Sequence, residues 1–145
     1  MLGIPLAPLV LGLTGLIPFW ALSLAIALHG AFGFQEHGLA FALAAYAAII
    51  ISFLGGIRWG LAAARDDGGA LNYAISVVPS LAGWALLAAP EPWRLAGLGM
   101  AALALGPIDA RLVKAGLAPL WLGRLRLILS CGAGLALLFA ALNMI

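Results

Sequence analysis

The chain has 145 residues, of which 66% are hydrophobic and only 8% charged, with 7 Lys and Arg against 5 Asp and Glu. A soluble domain of this composition has too little polar surface to cover itself, and so few basic residues leave no surface for nucleic acid. The lone Cys131 excludes an internal disulfide and a thiolate metal cluster.

Long stretches without Asp, Glu, Lys or Arg predict membrane spans at about 8–30, 39–63, 70–90, 93–113 and 122–144. A helix crossing the hydrocarbon core of roughly 30 Å needs about 20 residues. Leu95 to Ile108 is too short alone and is expected to extend from Trp93 to Val113. The expected fold is all-α, a polytopic five-transmembrane-helix bundle forming a single domain over residues 1–145.

The first span has no basic n-region and is longer than a signal-peptide core, so it is read as a retained helix. Pro18 is expected to kink it, as Pro79 and Pro107 kink the third and fourth spans, opening small cavities or exposing carbonyls. His29 and His37 flank a turn with Gly30 and Gly33, a spacing that presents no helical metal-ligand pair, and neither Glu36 nor Glu91 improves it. No metal and no cofactor is expected.

Lipid supplies no hydrophobic drive for helix association, so close contacts must come from small residues. Ladders at i, i+4 spacing run through Ala48, Ser52, Gly56 and Gly60 on the second span, Ala102, Gly106 and Ala110 on the fourth, and Gly132, Ala136 and Ala140 on the fifth. Arg58 and Trp59 lie near the end of the second span. Arg58 sits about 200° around the helix from Gly56, where it has room to snorkel, join an ion pair or hold a ligand. Asn72 and Tyr73 open the third span as cap and anchor.

Asp109 lies about 60° from Gly106 on the helical wheel, and so short a side chain cannot reach water. It needs a cationic partner, and Arg58, Arg124 and Arg126 are at similar depth. Arg58, Trp59, Asp109, Arg124 and Arg126 form the main candidate cluster. Pro18, Trp20, Tyr46, Pro79 and Trp84 are candidate lining residues of a cavity beside it. The connection from Arg111 through Lys114, Gly116, Pro119 and Trp121 to Arg126 alternates basic and apolar residues, a pattern for lying along a leaflet. Arg111, Lys114 and Trp121 are its expected contacts to anionic lipid headgroups or to the acidic surface of another membrane subunit.

Arg65, Arg111, Lys114, Arg124 and Arg126 gather after the second and fourth spans, whereas Arg94 alone is basic at the other end. Basic loops stay in the cytoplasm, which predicts a cytoplasmic amino terminus and an outer carboxyl terminus. Leu54-Gly55-Gly56-Ile57-Arg58 is echoed by Leu105-Gly106-Pro107-Ile108-Asp109, which suggests that spans one and two repeat as spans three and four. No nucleophile has a base at hand, since Ser23, Ser52, Ser76, Ser80 and Ser130 have no histidine at their depths.

Gly15-Leu16-Ile17-Pro18-Phe19, Tyr46, the run SFLGGIRWG at 52–60, SVVPSLAGWALL at 76–87 and the stretch from Leu122 to Leu127 carry a resemblance. They are similar to the family of small multi-span membrane proteins that includes mitochondrial transmembrane protein 69 and bacterial homologues. The resemblance implies a bioenergetic, bacterial-type inner membrane, motif roles for Gly55, Gly56, Arg58, Trp59, Pro79 and Trp84, and no reaction. Two functions fit these readings. One is a non-catalytic accessory or assembly subunit of a membrane complex. The other is a binder or carrier of a small amphiphile or anion, such as a quinone or lipid, at a cytoplasmic-side cavity.

Overall fold

Where the chain carries no charge it coils into helices, since a helix alone satisfies every backbone group of a single segment in lipid. The computed structural model describes residues 3–28, 35–65 and 69–145, so His29, Gly30 and Gly33 lie outside the described residues. Its helices are α1 (Leu6–Thr14), α2 (Ile17–Ala27), α3 (Glu36–Ala63), α4 (Ala70–Leu86), α5 (Trp93–Lys114) and α6 (Leu120–Leu142). No strand occurs among the described residues. Leu6–Ala27, Glu36–Ala63, Trp93–Lys114 and Leu120–Leu142 are long and apolar enough to cross a membrane, while Ala70–Leu86 is shorter, at 17 residues.

The first span is broken rather than bent. Leu16 N–H bonds the Leu13 carbonyl at 3.0 Å in a tightened turn, and α2 restarts with Pro18 in its first turn. Proline is at home there because that N–H has no helical partner in any case. The break exposes the Gly15 carbonyl, which accepts the Tyr46 hydroxyl at 3.0 Å. Tyr46 thereby joins the break to α3, with its ring 5.0 Å from that of Phe19.

The helices form two extensively packed pairs, α3 with α4 and α5 with α6, and α2 leans on α3 and α6. Small residues set the spacing. Gly83 of α4 faces Ala48 of α3, and a Cβ on Gly106 would lie 2.9 Å from Ser130 Cβ across the α5–α6 contact. Ala102, Ala136 and Ala140 are buried as their ladders require. The second-span ladder differs from expectation: Gly56 and Gly60 face open space, and neighbouring Gly55 meets the Ser76 carbonyl of α4 so closely that a Cβ has no room. Ser23 Oγ donates to the Ala136 carbonyl at 2.8 Å and clamps α2 to α6.

The five-residue echo marks matching packing positions, although in a different pairing from the one expected. Gly55 seats Ser76 of the next helix, and Gly106 seats Ser130 of the next. The equivalent units in this contact are the hairpins α3–α4 and α5–α6.

The basic connection is also shorter than its sequence pattern suggests. Arg111 and Lys114 lie in the last turn of α5, where cations favour the exposed carbonyls. Trp121, Arg124 and Arg126 lie in α6, so only 115–119 link the helices. The link closes with Gly116 at φ 70° and Leu117 N–H bonded to the Leu112 carbonyl at 2.8 Å. A left-handed glycine in this place ends helices because it carries no Cβ. Helix propagation continues through the basic residues because nothing between Leu120 and Arg126 breaks it.

Candidate functional site

Close approach of α5 and α6 at Gly106 and Ser130 decides what happens one turn away. Asp109, three residues after Gly106, is brought against Arg126, four residues before Ser130. Arg126 Nε donates to Asp109 Oδ2 at 2.8 Å. Arg126 Nη2 is also 2.8 Å from that oxygen, but it lacks an aligned hydrogen bond, so the Nε bond is the directional one. Asp109 is 7% exposed and Arg126 4%. Arg58 of α3 contributes a second cation, with Nη1 3.8 Å from Asp109 Oδ1. The cluster therefore holds two guanidinium groups and one carboxylate in a largely dry setting.

Arg58, Asp109 and Arg126 are brought together; Arg124 and Trp59 lie elsewhere. Arg124 is two residues from Arg126, hence on another face of α6, and is exposed. Trp59 is half-exposed and meets the Tyr73 ring edge-on at 4.8 Å. Arg111 and Lys114 are exposed at the same end of the bundle. Arg65 ties that end together, its Nη2 donating to the Gly116 carbonyl at 2.7 Å.

A cleft of about 420 Å³ opens between α1–α2, α3 and α6. On α6 its wall follows one ridge: Trp121, Leu122, Leu125, Arg126, Leu129, Ser130, Ala133 and Leu137. From Trp121 to Leu137 that ridge rises about 24 Å. The facing walls are apolar, with Gly12, Leu16 and Phe19 on one side and Ala47, Ile51 and Leu54 on the other. A cleft remains here because α3 and α6 touch sparsely, each being committed to its hairpin partner.

Pro18, Trp20, Tyr46, Pro79 and Trp84 are not on this wall. Pro18 is taken up in the helix break and Tyr46 in its hydrogen bond to Gly15. Pro79 packs against Gly55 in the α3–α4 contact. Trp84 is 74% exposed, and Trp20 lies beside Phe139 at the surface. Large aromatics have no reason to turn inward when the surroundings are themselves apolar.

Ser130, considered in the sequence only as a nucleophile without a base, stands on this wall. It is 4% exposed, and its Oγ has no hydrogen-bond partner among the described residues. A helical serine ordinarily back-bonds to the carbonyl four residues earlier, which here belongs to Arg126. The available signal was the i, i+4 spacing that places it on the Arg126 face. A second, smaller crevice of about 40 Å³ is lined by Arg58, Arg65, Asn72 and neighbouring leucines and alanine.

Residues 4–142 match the model of a family described as a protein of unknown function, DUF3429. The chain is similar to transmembrane protein 69 of Xenopus tropicalis, with 42% identity over 86 residues, covering 57% of this chain and 33% of that protein. The matched part thus spans about a third of the length of that relative. No solved structure matches the chain. Its apolar helices and this likeness make it a multi-pass membrane protein, and the match over nearly its whole length shows that it belongs to the DUF3429 family of unknown function.

Proposed function

We propose that this protein binds a small amphiphile in the cleft between α1–α2, α3 and α6. The observation that carries this reading is a long apolar cleft whose wall includes the buried polar side chains of Arg126 and Ser130. Ligand pockets have this make-up, with apolar walls and a few convergent polar groups, in the range of about 300–1,000 Å³.

The setting we propose is a five-span single domain over residues 1–145, in a bacterial-type inner membrane, with α4 as the remaining span. At 17 residues α4 rises about 25 Å and needs its flanking turns to complete a crossing. Exposed Arg65, Arg111, Lys114 and Arg124 at one end support a cytoplasmic placement for that end, hence for the amino terminus. The cleft's polar residues then lie toward the inner leaflet, with Arg111, Lys114 and Trp121 against anionic headgroups.

A variant that keeps only Trp121, with Trp20, Trp59, Trp84 and Trp93 replaced by Phe, tests the reading. Saturable quenching of Trp121 by a single-chain amphiphile brominated on the carbon next to its head group, lost on Ala133→Phe, is the expected result. Quenching that rises linearly with concentration and ignores Ala133→Phe overturns it. The accessory-subunit role is the second reading, favoured by the exposed Gly56, Trp59 and Gly60 face of α3. A partner subunit that co-purifies with the wild type and is lost on Gly60→Leu supports that role; no partner, or one retained by the variant, counts against it.

A further inference from the structure

The shape and charge of the cleft narrow the ligand further, on the condition that the cleft binds an amphiphile at all. About 420 Å³ distributed along a ridge of about 24 Å is long and narrow. A cleft of this length and volume suits a single extended chain lying along α6.

The polar groups lie in the middle of the ridge, between Trp121, Leu122 and Leu125 on the basic side and Ala133 and Leu137 on the other. Arg126 and Ser130 stand one turn apart on α6, while Ala133 and Leu137 continue the wall as bare hydrocarbon. Arg126 offers five N–H donors and no acceptor, and only its Nε is engaged in an aligned bond to Asp109. Ser130 adds a hydroxyl that has no partner among the described residues. Behind them, Arg58 and Arg126 share the carboxylate of Asp109, so that among the described residues the cluster has one more cation than anions. Such an excess is stabilised by a nearby anion, here only in part screened by water since the Arg58 side chain is 18% exposed.

We propose that the ligand is a single-chain anionic amphiphile. Its monoanionic head, of the carboxylate type, is received by Arg126 and Ser130, and its tail runs along α6 toward Leu137 beside Phe19 and Ala47. A carboxylate matches the donor-only guanidinium in both charge and geometry. It restores neutrality to the Arg58, Asp109 and Arg126 cluster without disturbing the Arg126–Asp109 bond. A neutral head of equal size leaves the excess charge in place.

The test compares tetradecanoate with its methyl ester and with tetradecanol. Each is titrated into the wild-type protein in detergent at about pH 8, where the carboxylic acid is ionised, and native mass spectrometry counts what is bound. The expected result is one acid per chain, held at least ten-fold more tightly than ester or alcohol, with Ser130→Ala weakening the acid several-fold and leaving the ester unchanged. Ser130→Ala is chosen because removing Arg126 breaks its buried pair with Asp109 and endangers the fold. Equal saturable binding of acid and ester overturns the charge inference while the cleft reading stands. No saturable binding of any of the three overturns both. Several acids per chain, lost with added salt and insensitive to Ser130→Ala, means adsorption on the exposed basic residues and also overturns the inference.

Discussion

Replacing Asp109 by leucine should be among the most damaging single changes in the molecule, and the structure ranks it against its neighbours. Asp109 faces Arg126 at 2.8 Å and Arg58 at 3.8 Å, and the Asp109 and Arg126 side chains are 9% and 5% exposed. Removing the carboxylate leaves two guanidinium groups facing each other without an anion, a loss of about 3–5 kcal/mol for breaking a buried pair. Arg126→Met should cost less, since Asp109 retains Arg58 nearby. Arg58→Ala should cost about 1 kcal/mol or less, because its contact is long and its side chain is 18% exposed. The double variant Asp109→Leu/Arg126→Met removes both buried charges and should recover most of the loss, to within about 1 kcal/mol of the wild type. Equilibrium unfolding in mixed micelles with increasing denaturing detergent measures all four. If Asp109→Leu costs less than about 1 kcal/mol, or the double variant is no better than the single, the cluster is not a buried and mutually dependent set of charges.

Two further perturbations address the frame. Gly55→Ala should destabilise the α3–α4 contact by about 1–3 kcal/mol, since its Cβ meets the Ser76 carbonyl, whereas Gly56→Ala points into open space and should be neutral or stabilising. The same unfolding assay separates them, and equal effects would contradict the helix rotation described. Tyr46→Phe leaves the Gly15 carbonyl unpaired at the break in the first span. The expected cost is about 1–3 kcal/mol, together with faster hydrogen exchange of the amides around Gly15, and unchanged exchange there would show that the bond does not hold the break.

Much of this architecture is written in where the charges are. Uncharged runs place the helices because the hydrocarbon core excludes charge at any rotation of a helix, so no tertiary knowledge is needed. Asp109 was legible for the same reason: a short acid beside a glycine ladder must find a cation, and the candidates at that depth were few. Rotation of a helix about its own axis is a different matter. In water a polar face turns outward, but in lipid both sides of a span are apolar, so nothing in the pattern separates Gly55 from Gly56, 100° apart. That ambiguity hid the true α3–α4 contact. It also hid the cleft, since Trp20 and Trp84 read equally well as lining or as lipid-facing residues, and the kinks expected at Pro18 and Pro79 favour lining. Ser130 is weighed in the sequence only as a nucleophile, because a serine on a span ordinarily satisfies itself on its own helix; the packing around Gly106 leaves its hydroxyl without a partner among the described residues.

One small molecule in the cleft along α6, as proposed, should stay with the protein through gentle extraction. Native mass spectrometry of the protein gently extracted from its membrane, beside Ala133→Phe and with thermal unfolding confirming that both are folded, tests it most directly. Retention of one small amphiphile by the wild type and none by the filled variant is the predicted result. A wild-type protein that carries no such species, or a variant that carries it equally, would contradict the account.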